Sequence, residues 1–209
     1  STLYACCSKI VCNGCNYANK IRELNKKLTC PFCRHHSPKT QAEADKNAMK
    51  RVTVNDPVAL REMGKKHHSD GNHARAFEYW AKAAELGDII AHFQLSVSYR
   101  VGLGVGMDEK KELYHKETAA IGGDPYARYN LACYEGRNGR IDRAVKHFII
   151  AANLGCDGAI QELKDCYAHG LVSKEDFAAA LRAHQTAVDA TKSPQREAAE
   201  AAALHLQSK

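Results

Sequence analysis

Ala83-Ala84-Glu85-Leu86-Gly87, Ala119-Ala120-Ile121-Gly122-Gly123 and Ala151-Ala152-Asn153-Leu154-Gly155 are one ending written three times. Each closes an apolar-periodic run with two alanines and a glycine, the residue that most readily takes the left-handed conformation stopping a helix. Around these endings a second pattern repeats: Ala59-x3-Met63-Gly64-x2-His67, Ala91-x3-Leu95-x3-Tyr99, Ala127-x3-Leu131-x2-Tyr134 and Ala159-x3-Leu163-x3-Tyr167. The leading alanines are 32, 36 and 32 residues apart. Each segment runs into a turn bearing glycine, at Asp70-Gly71, Gly102-Leu103-Gly104, Asn138-Gly139 and His169-Gly170. Apolar residues at i, i+4 and i+7 or i+8 put a stripe on one helix face. Alanine in that stripe lets two helices approach closely. A helix pair of this kind cannot bury its stripe alone, so neighbours stack into a superhelix. The expectation is a mainly α chain whose residues 57–190 form an α-solenoid of about four helix-pair repeats. The four extra residues of the second unit fall in its turn, where insertions are tolerated.

That turn reads Tyr99-Arg100-Val101-Gly102-Leu103-Gly104-Val105-Gly106-Met107-Asp108-x2-Lys111. It resembles the Sel-one-like repeat, a cousin of the tetratricopeptide repeat, and the resemblance implies an array that binds protein partners. Gly102-x-Gly104-x-Gly106 is not read as a phosphate loop, because a dinucleotide fingerprint follows a strand and here a helical pattern precedes it. Tyr79 and Trp80 are read as core or inter-repeat contacts. Cys133, Cys156 and Cys166 read as buried or half-buried thiols. The histidines of the array (His67, His68, His92, His115, His147, His169 and His184) read as surface or packing residues.

The first 33 residues hold six of the nine cysteines, Cys6, Cys7, Cys12, Cys15, Cys30 and Cys33. The spacing Cys7-x4-Cys12-x2-Cys15-x14-Cys30-x2-Cys33 contains two C-x2-C pairs. Two thiolates on one tight knuckle reach the same ion, and zinc takes four such ligands in a tetrahedron with sulfur at about 2.3 Å. Gly14 is expected to supply backbone freedom at the first knuckle and Pro31 to stiffen the second. With an odd cysteine total and no apolar leader, the pattern points to a zinc module in a reducing compartment, cytoplasmic or nuclear, rather than to a secreted disulfide framework.

Cys7-Ser8-Lys9-Ile10-Val11-Cys12-Asn13-Gly14-Cys15 followed by Cys30-Pro31-Phe32-Cys33-Arg34 resembles the second half of a RING finger. That family binds two zincs through eight interleaved ligands. The ordinary RING has a histidine where this chain has Lys9, so the resemblance implies an all-cysteine variant with Cys6 and Cys7 as its third and fourth ligands. Its first C-x2-C pair is expected upstream of Ser1, in a longer parent. The resemblance further implies a docking surface for a ubiquitin-conjugating enzyme, with Arg34, Pro31 and Ile10 or Val11 in the contact. The alternative is a zinc ribbon in which Cys12, Cys15, Cys30 and Cys33 close one site. His35 and His36 are read as a solvated exit, with ligation the lesser reading.

The expected organisation is a zinc head over 1–36, a linker over 37–56 with a short helix near 41–50, the repeats over 57–190, and a capping helix or tail over 191–209. Asp56 is expected to cap the first repeat helix with Pro57 at its first position, Ser173 to cap the last repeat helix, and Ser193-Pro194 to start a final helix over 195–206. No apolar run approaches the roughly 18 residues of a membrane span. Residues 1–56 hold ten Lys/Arg against four Asp/Glu, whereas residues 57–209 hold twenty of each. A basic head invites a nucleic-acid reading through Lys20, Arg22, Lys26 and Lys27, but those spacings suit a solvated helix face as well. No triad, phosphate loop or paired-carboxylate site emerges, so no catalytic residue is assigned. Two functions follow: a RING-type ubiquitin ligase component acting through a partner conjugating enzyme, and a repeat scaffold or adaptor with a structural zinc finger. A zinc-ribbon nucleic-acid binder comes behind both.

Overall fold

The computed structural model describes residues 2–23 and 28–207. Lys26 and Lys27 of the nucleic-acid reading lie outside them. The chain divides into two compact units, Ser1–Met63 with Lys192–Lys209, and Gly64–Thr191.

The first unit opens with an antiparallel hairpin of β1 (Thr2–Tyr4) and β2 (Lys9–Val11), in the register Thr2↔Val11, Leu3↔Ile10 and Tyr4↔Lys9. Helix α1 (Asn13–Arg22) follows directly, and α2 (Gln41–Thr53) fills the linker. The start of helix α2 is closed twice, Thr40 Oγ1 accepting from the Glu43 N–H and Glu43 Oε2 from the Lys39 N–H, close to a capping box. Its end runs past the expected 41–50 to a left-handed stop at Asn55, φ +56°, where the Asn55 and Asp56 N–H groups donate to the Val52 and Arg51 carbonyls. Asp56 starts α3 (Pro57–Ser69) as expected, its Oδ1 accepting from the Val58 and Ala59 N–H groups while Arg51 pairs with its other oxygen. The final helix, α11 (Pro194–Gln207), packs against α1 within this unit. Gly14 makes that contact possible, because a Cβ there would stand 2.4 Å from the Arg196 backbone nitrogen. Its role is therefore space rather than the backbone freedom expected of it.

The second unit is the array. Helices α4 (His73–Glu85), α5 (Ile89–Val101), α6 (Glu109–Ile121), α7 (Pro125–Arg137), α8 (Ile141–Asn153), α9 (Asp157–Ala168) and α10 (Lys174–Asp189) each pack on the next, and α10 also reaches α8. The leading alanines of the repeats are buried at 4% (Ala59) and 0% (Ala91, Ala127 and Ala159) exposure. Gly87, Gly123 and Gly155 stop their helices at φ of +85°, +89° and +86°. Asp88 and Asp124 next to the first two accept from the Ala91 and Ala127 N–H groups and cap the following helix. Cys156 holds the third such position without a side-chain cap and is buried instead. The cores span successive pairs. Ala119, Ala120, Ala127 and Leu131 form one with Ile89 and Phe93, while Phe148, Ala152, Leu163, Val172 and Ala180 belong to another. Each pair thus completes its neighbour's interior. Gly104 lies against the preceding repeat: at φ +79°, a Cβ would come 2.2 Å from the His73 carbonyl oxygen. Its bare Cα is needed for a main-chain approach, and helix α5 precedes it.

Trp80 is buried and Tyr79 stacks on His67. His92 on α5 and His115 on α6 share one hydrogen bond, Nδ1 to Nδ1 at 2.9 Å, and the His115 ring stacks on Tyr99. Burial, then the charges of His92 and Lys111, holds His115 down to about 4. His92 is also lowered by burial, against the opposing pull of Asp88. An imidazole released on unfolding titrates near 6.5, so the unfolded chain takes up the proton first. The stabilising contribution is complete above about pH 6.5 and is lost as pH falls towards 4. Between pH 7.5 and 5 the parent's melting temperature is therefore expected to fall further than that of His115→Phe, which keeps the stacked ring and removes the titration. Parallel curves would mean that His115 is not held neutral.

Candidate metal centre

The hairpin turn and a second loop supply the site. In the turn, the Cys7 N–H donates to the Tyr4 carbonyl at 3.1 Å, and Ser8 takes a left-handed φ of +54°. The second loop closes through a Thr29↔His36 bridge, with the Cys30 N–H on the His35 carbonyl at 2.8 Å and the Arg34 N–H on the Cys30 carbonyl at 2.9 Å. Helix α1 braces both. Tyr4 Oη donates to Asn16 Oδ1, Asn16 Nδ2 donates to Thr2 Oγ1, and Asn19 Nδ2 donates to the Thr29 carbonyl. Sequence reading missed these supports; the i, i+3 placement of Asn16 and Asn19 on one helix face was the available signal.

Four Sγ atoms converge, from Cys6, Cys7, Cys30 and Cys33, all within 4.8 Å of one another. The Cys7–Cys30 and Cys6–Cys33 separations are 3.6 and 3.5 Å. A disulfide needs about 2.05 Å. Four sulfurs at about 2.3 Å from one zinc lie roughly 3.8 Å apart, so the donor set fits a tetrahedral ion. Cys30 is buried at 1% exposure beside Tyr4 and Val11, whereas Cys33 is exposed. Burial, then the neighbouring thiols, pushes Cys6 up, and burial leads the rise at Cys7. Cys33 is lowered, chiefly by the His35 N–H. Crowded thiols resist ionising together, and a divalent cation among them reverses that preference.

Cys12 and Cys15 are not in this group. Cys12 caps α1, its Sγ accepting from the Cys15 N–H at 3.3 Å. Arg196 and that N–H hold Cys12 down to about 6, which in turn raises Cys15. The ribbon grouping of Cys12 and Cys15 with Cys30 and Cys33 is thus not the one formed, since the hairpin presents Cys6 and Cys7 to the second loop. His35 and His36 also stay outside the thiol group, which among the described residues is the one set of three or more His, Cys, Asp or Glu close enough to share an ion. Around it, Ile10 is 47% and Phe32 54% exposed, and Pro31 and Arg34 also face solvent. Val11 is buried, so of the pair Ile10 or Val11 only Ile10 is available to a partner.

In the array, a groove of about 570 Å³ is lined by Tyr99, Arg100, Lys116, Asn130, Tyr134 and Arg137 among others. Lys116 is held there by Glu112 at 2.6 Å and lies 5.0 Å over the Tyr134 ring.

No family model and no curated protein matches the chain. The solved structures similar to it include two repeat proteins. A Sel1 repeat protein from Oxalobacter formigenes is 27% identical over 84% of this chain and 75% of its own, with a TM-score of 0.62. A protective antigen present in uropathogenic Escherichia coli strains, displaying an SLR fold, is 27% identical over 70% of this chain and 33% of its own, with a TM-score of 0.57. The α-solenoid is therefore similar in fold to these Sel1-repeat (SLR) proteins, and the head carries a cysteine cluster that could hold a metal ion.

Proposed function

We propose that the protein is a two-part adaptor whose head binds zinc and docks a ubiquitin-conjugating enzyme, while its Sel1-like array holds the protein to be modified. One observation carries this reading: Cys6 and Cys7 share a site with Cys30 and Cys33, across the Cys12–Cys15 pair that lies between them in sequence. A ribbon would join the two C-x2-C pairs, and this interleaving is what the RING resemblance implies. In that reading Cys12 and Cys15 are half of a second site. The exposed Ile10, Pro31, Phe32 and Arg34 stand within three residues of a cluster thiol in sequence and offer apolar groups and a guanidinium, residue types that partner-binding surfaces use. The reacting thiol would belong to the conjugating enzyme, and this chain would only hold the charged enzyme in a reactive pose.

The test is reconstitution with ubiquitin, activating enzyme and a panel of conjugating enzymes. Product is expected with at least one of them, and Arg34→Ala is expected to lower it about tenfold at unchanged zinc and helix content, because a guanidinium bridges two partners through several fixed donors. No product with any enzyme, or full activity in Arg34→Ala, would leave a repeat scaffold with a structural zinc finger.

A further inference from the structure

The head carries a second feature that the thiol site does not use. The exit of the second loop and one face of α2 border a groove of about 630 Å³, within the roughly 300–1,000 Å³ of ligand pockets. Among the described residues, Lys39, Lys46 and Lys50 line it with His35 and His36, against a single acid, Glu43. Lys46 and Lys50 are one helical turn apart and share a face. None of the three lysines forms an ion pair among the described residues, while Arg22 is paired with Glu23 and Arg51 with Asp56. Glu43 is already engaged by the Lys39 N–H. Residues 57–209 are balanced in charge, so the chain's basic excess lies in the head, and this groove concentrates part of it.

We propose that this groove binds an acidic peptide segment of a partner protein. Three ammonium groups that have no ion pair among the described residues, set around a concave surface, focus field on an anionic ligand. Ser37 and Asn47 offer neutral hydrogen-bonding groups to a peptide backbone, and Leu28 and Pro38 supply an apolar lining. Nucleic acid fits less well. Among the described residues that line the groove there is no Phe, Tyr, Trp or Arg, and His35 and His36 are its only rings, fewer stacking surfaces than the successive platforms on which single strands are held. The inference is independent of the conjugating-enzyme reading, because it concerns residues on α2 and the loop exit and needs no ubiquitin chemistry.

The experiment measures fluorescence anisotropy of a labelled oligoglutamate peptide with the zinc-loaded full chain. Binding is expected, weakening steeply with added salt, and falling about tenfold in Lys46→Glu/Lys50→Glu. The array double variant Lys146→Glu/Lys164→Glu, in which both residues are exposed helix positions, is expected to match the parent. Three results would overturn the proposal. The first is oligoglutamate affinity unchanged by Lys46→Glu/Lys50→Glu. The second is labelled single- or double-stranded DNA binding more tightly than oligoglutamate at the same salt through the same lysines. The third is loss of zinc from the variant, which would make the lysines counter-charges to the thiolates.

Discussion

Replacing Cys30 by serine, or stripping the metal with a chelator, is expected to unfold the head while the array keeps its helices. The described core around the site is Tyr4, Val11 and Cys30 with Cys6 and Cys7 against it, too small to hold the hairpin, loop and α1 together by burial alone. Structural zinc in small fingers binds with an apparent 10–16 kcal/mol, about the whole folding free energy of such a module. Far-UV circular dichroism should lose only the minor part carried by the head. Proteolysis should begin in residues 2–40, and backbone amide resonances of α4–α10 should stay dispersed. Cys12→Ser is the internal control, because Cys12 lies outside the four-thiol group; it is expected to leave that group loaded. Metal affinity should rise with pH, since ligand thiols must shed protons to bind. A head that stays folded in strong chelator, or a four-thiol site emptied by Cys12→Ser, would break this account.

The second large effect is expected in the array. Leu163 is fully buried at 0% exposure, in the core that joins α7 to α10. Leu163→Ala leaves a cavity in a close-packed interior and should cost about 2–5 kcal/mol. Ala152, also at 0% exposure, tests the opposite error: Ala152→Leu forces a larger side chain between helices in near contact and should cost roughly 1–3 kcal/mol. Tyr167 occupies the next stripe position of the same helix but is 40% exposed, so Tyr167→Ala should cost less than either. Urea midpoints of the three variants give the order directly. Equal losses at Leu163 and Tyr167 would mean that the stripe is drawn on the wrong face.

That stripe shows where sequence reading holds and where it weakens. The Ala-x3-Leu spacing places buried residues correctly in each repeat from Ala91 to Leu163. The aromatic that follows goes from buried in Tyr99, through half-buried Tyr134, to exposed Tyr167. Periodicity says which face a residue is on. How deeply it is covered depends on how many helices stack beyond it. The last repeat is the plainest case: its second helix lacks the Ala-Ala-x-Leu-Gly ending, yet α10 forms over Lys174–Asp189 because Ser173 caps it and its Phe177 and Ala180 meet the core of α8 and α9.

By itself the sequence determined what local physics controls. Helix periods, left-handed glycine stops, aspartate caps and the closeness of two cysteines in C-x2-C all act within about four residues of chain, so the repeat array and the existence of a thiol-rich head were legible without coordinates. Which cysteines come close enough to share an ion was set by tertiary contact, because Cys6 and Cys33 stand 27 residues apart and meet through the hairpin turn and the bridged second loop. Tertiary contact also decided that Val11 is core and Ile10 surface, that α11 rests on α1, and that Gly14 is there for the room it leaves to Arg196. Each of these turns on contact between segments remote in sequence, where the gain from burial or from a shared ion must exceed the entropy of closing the intervening loop.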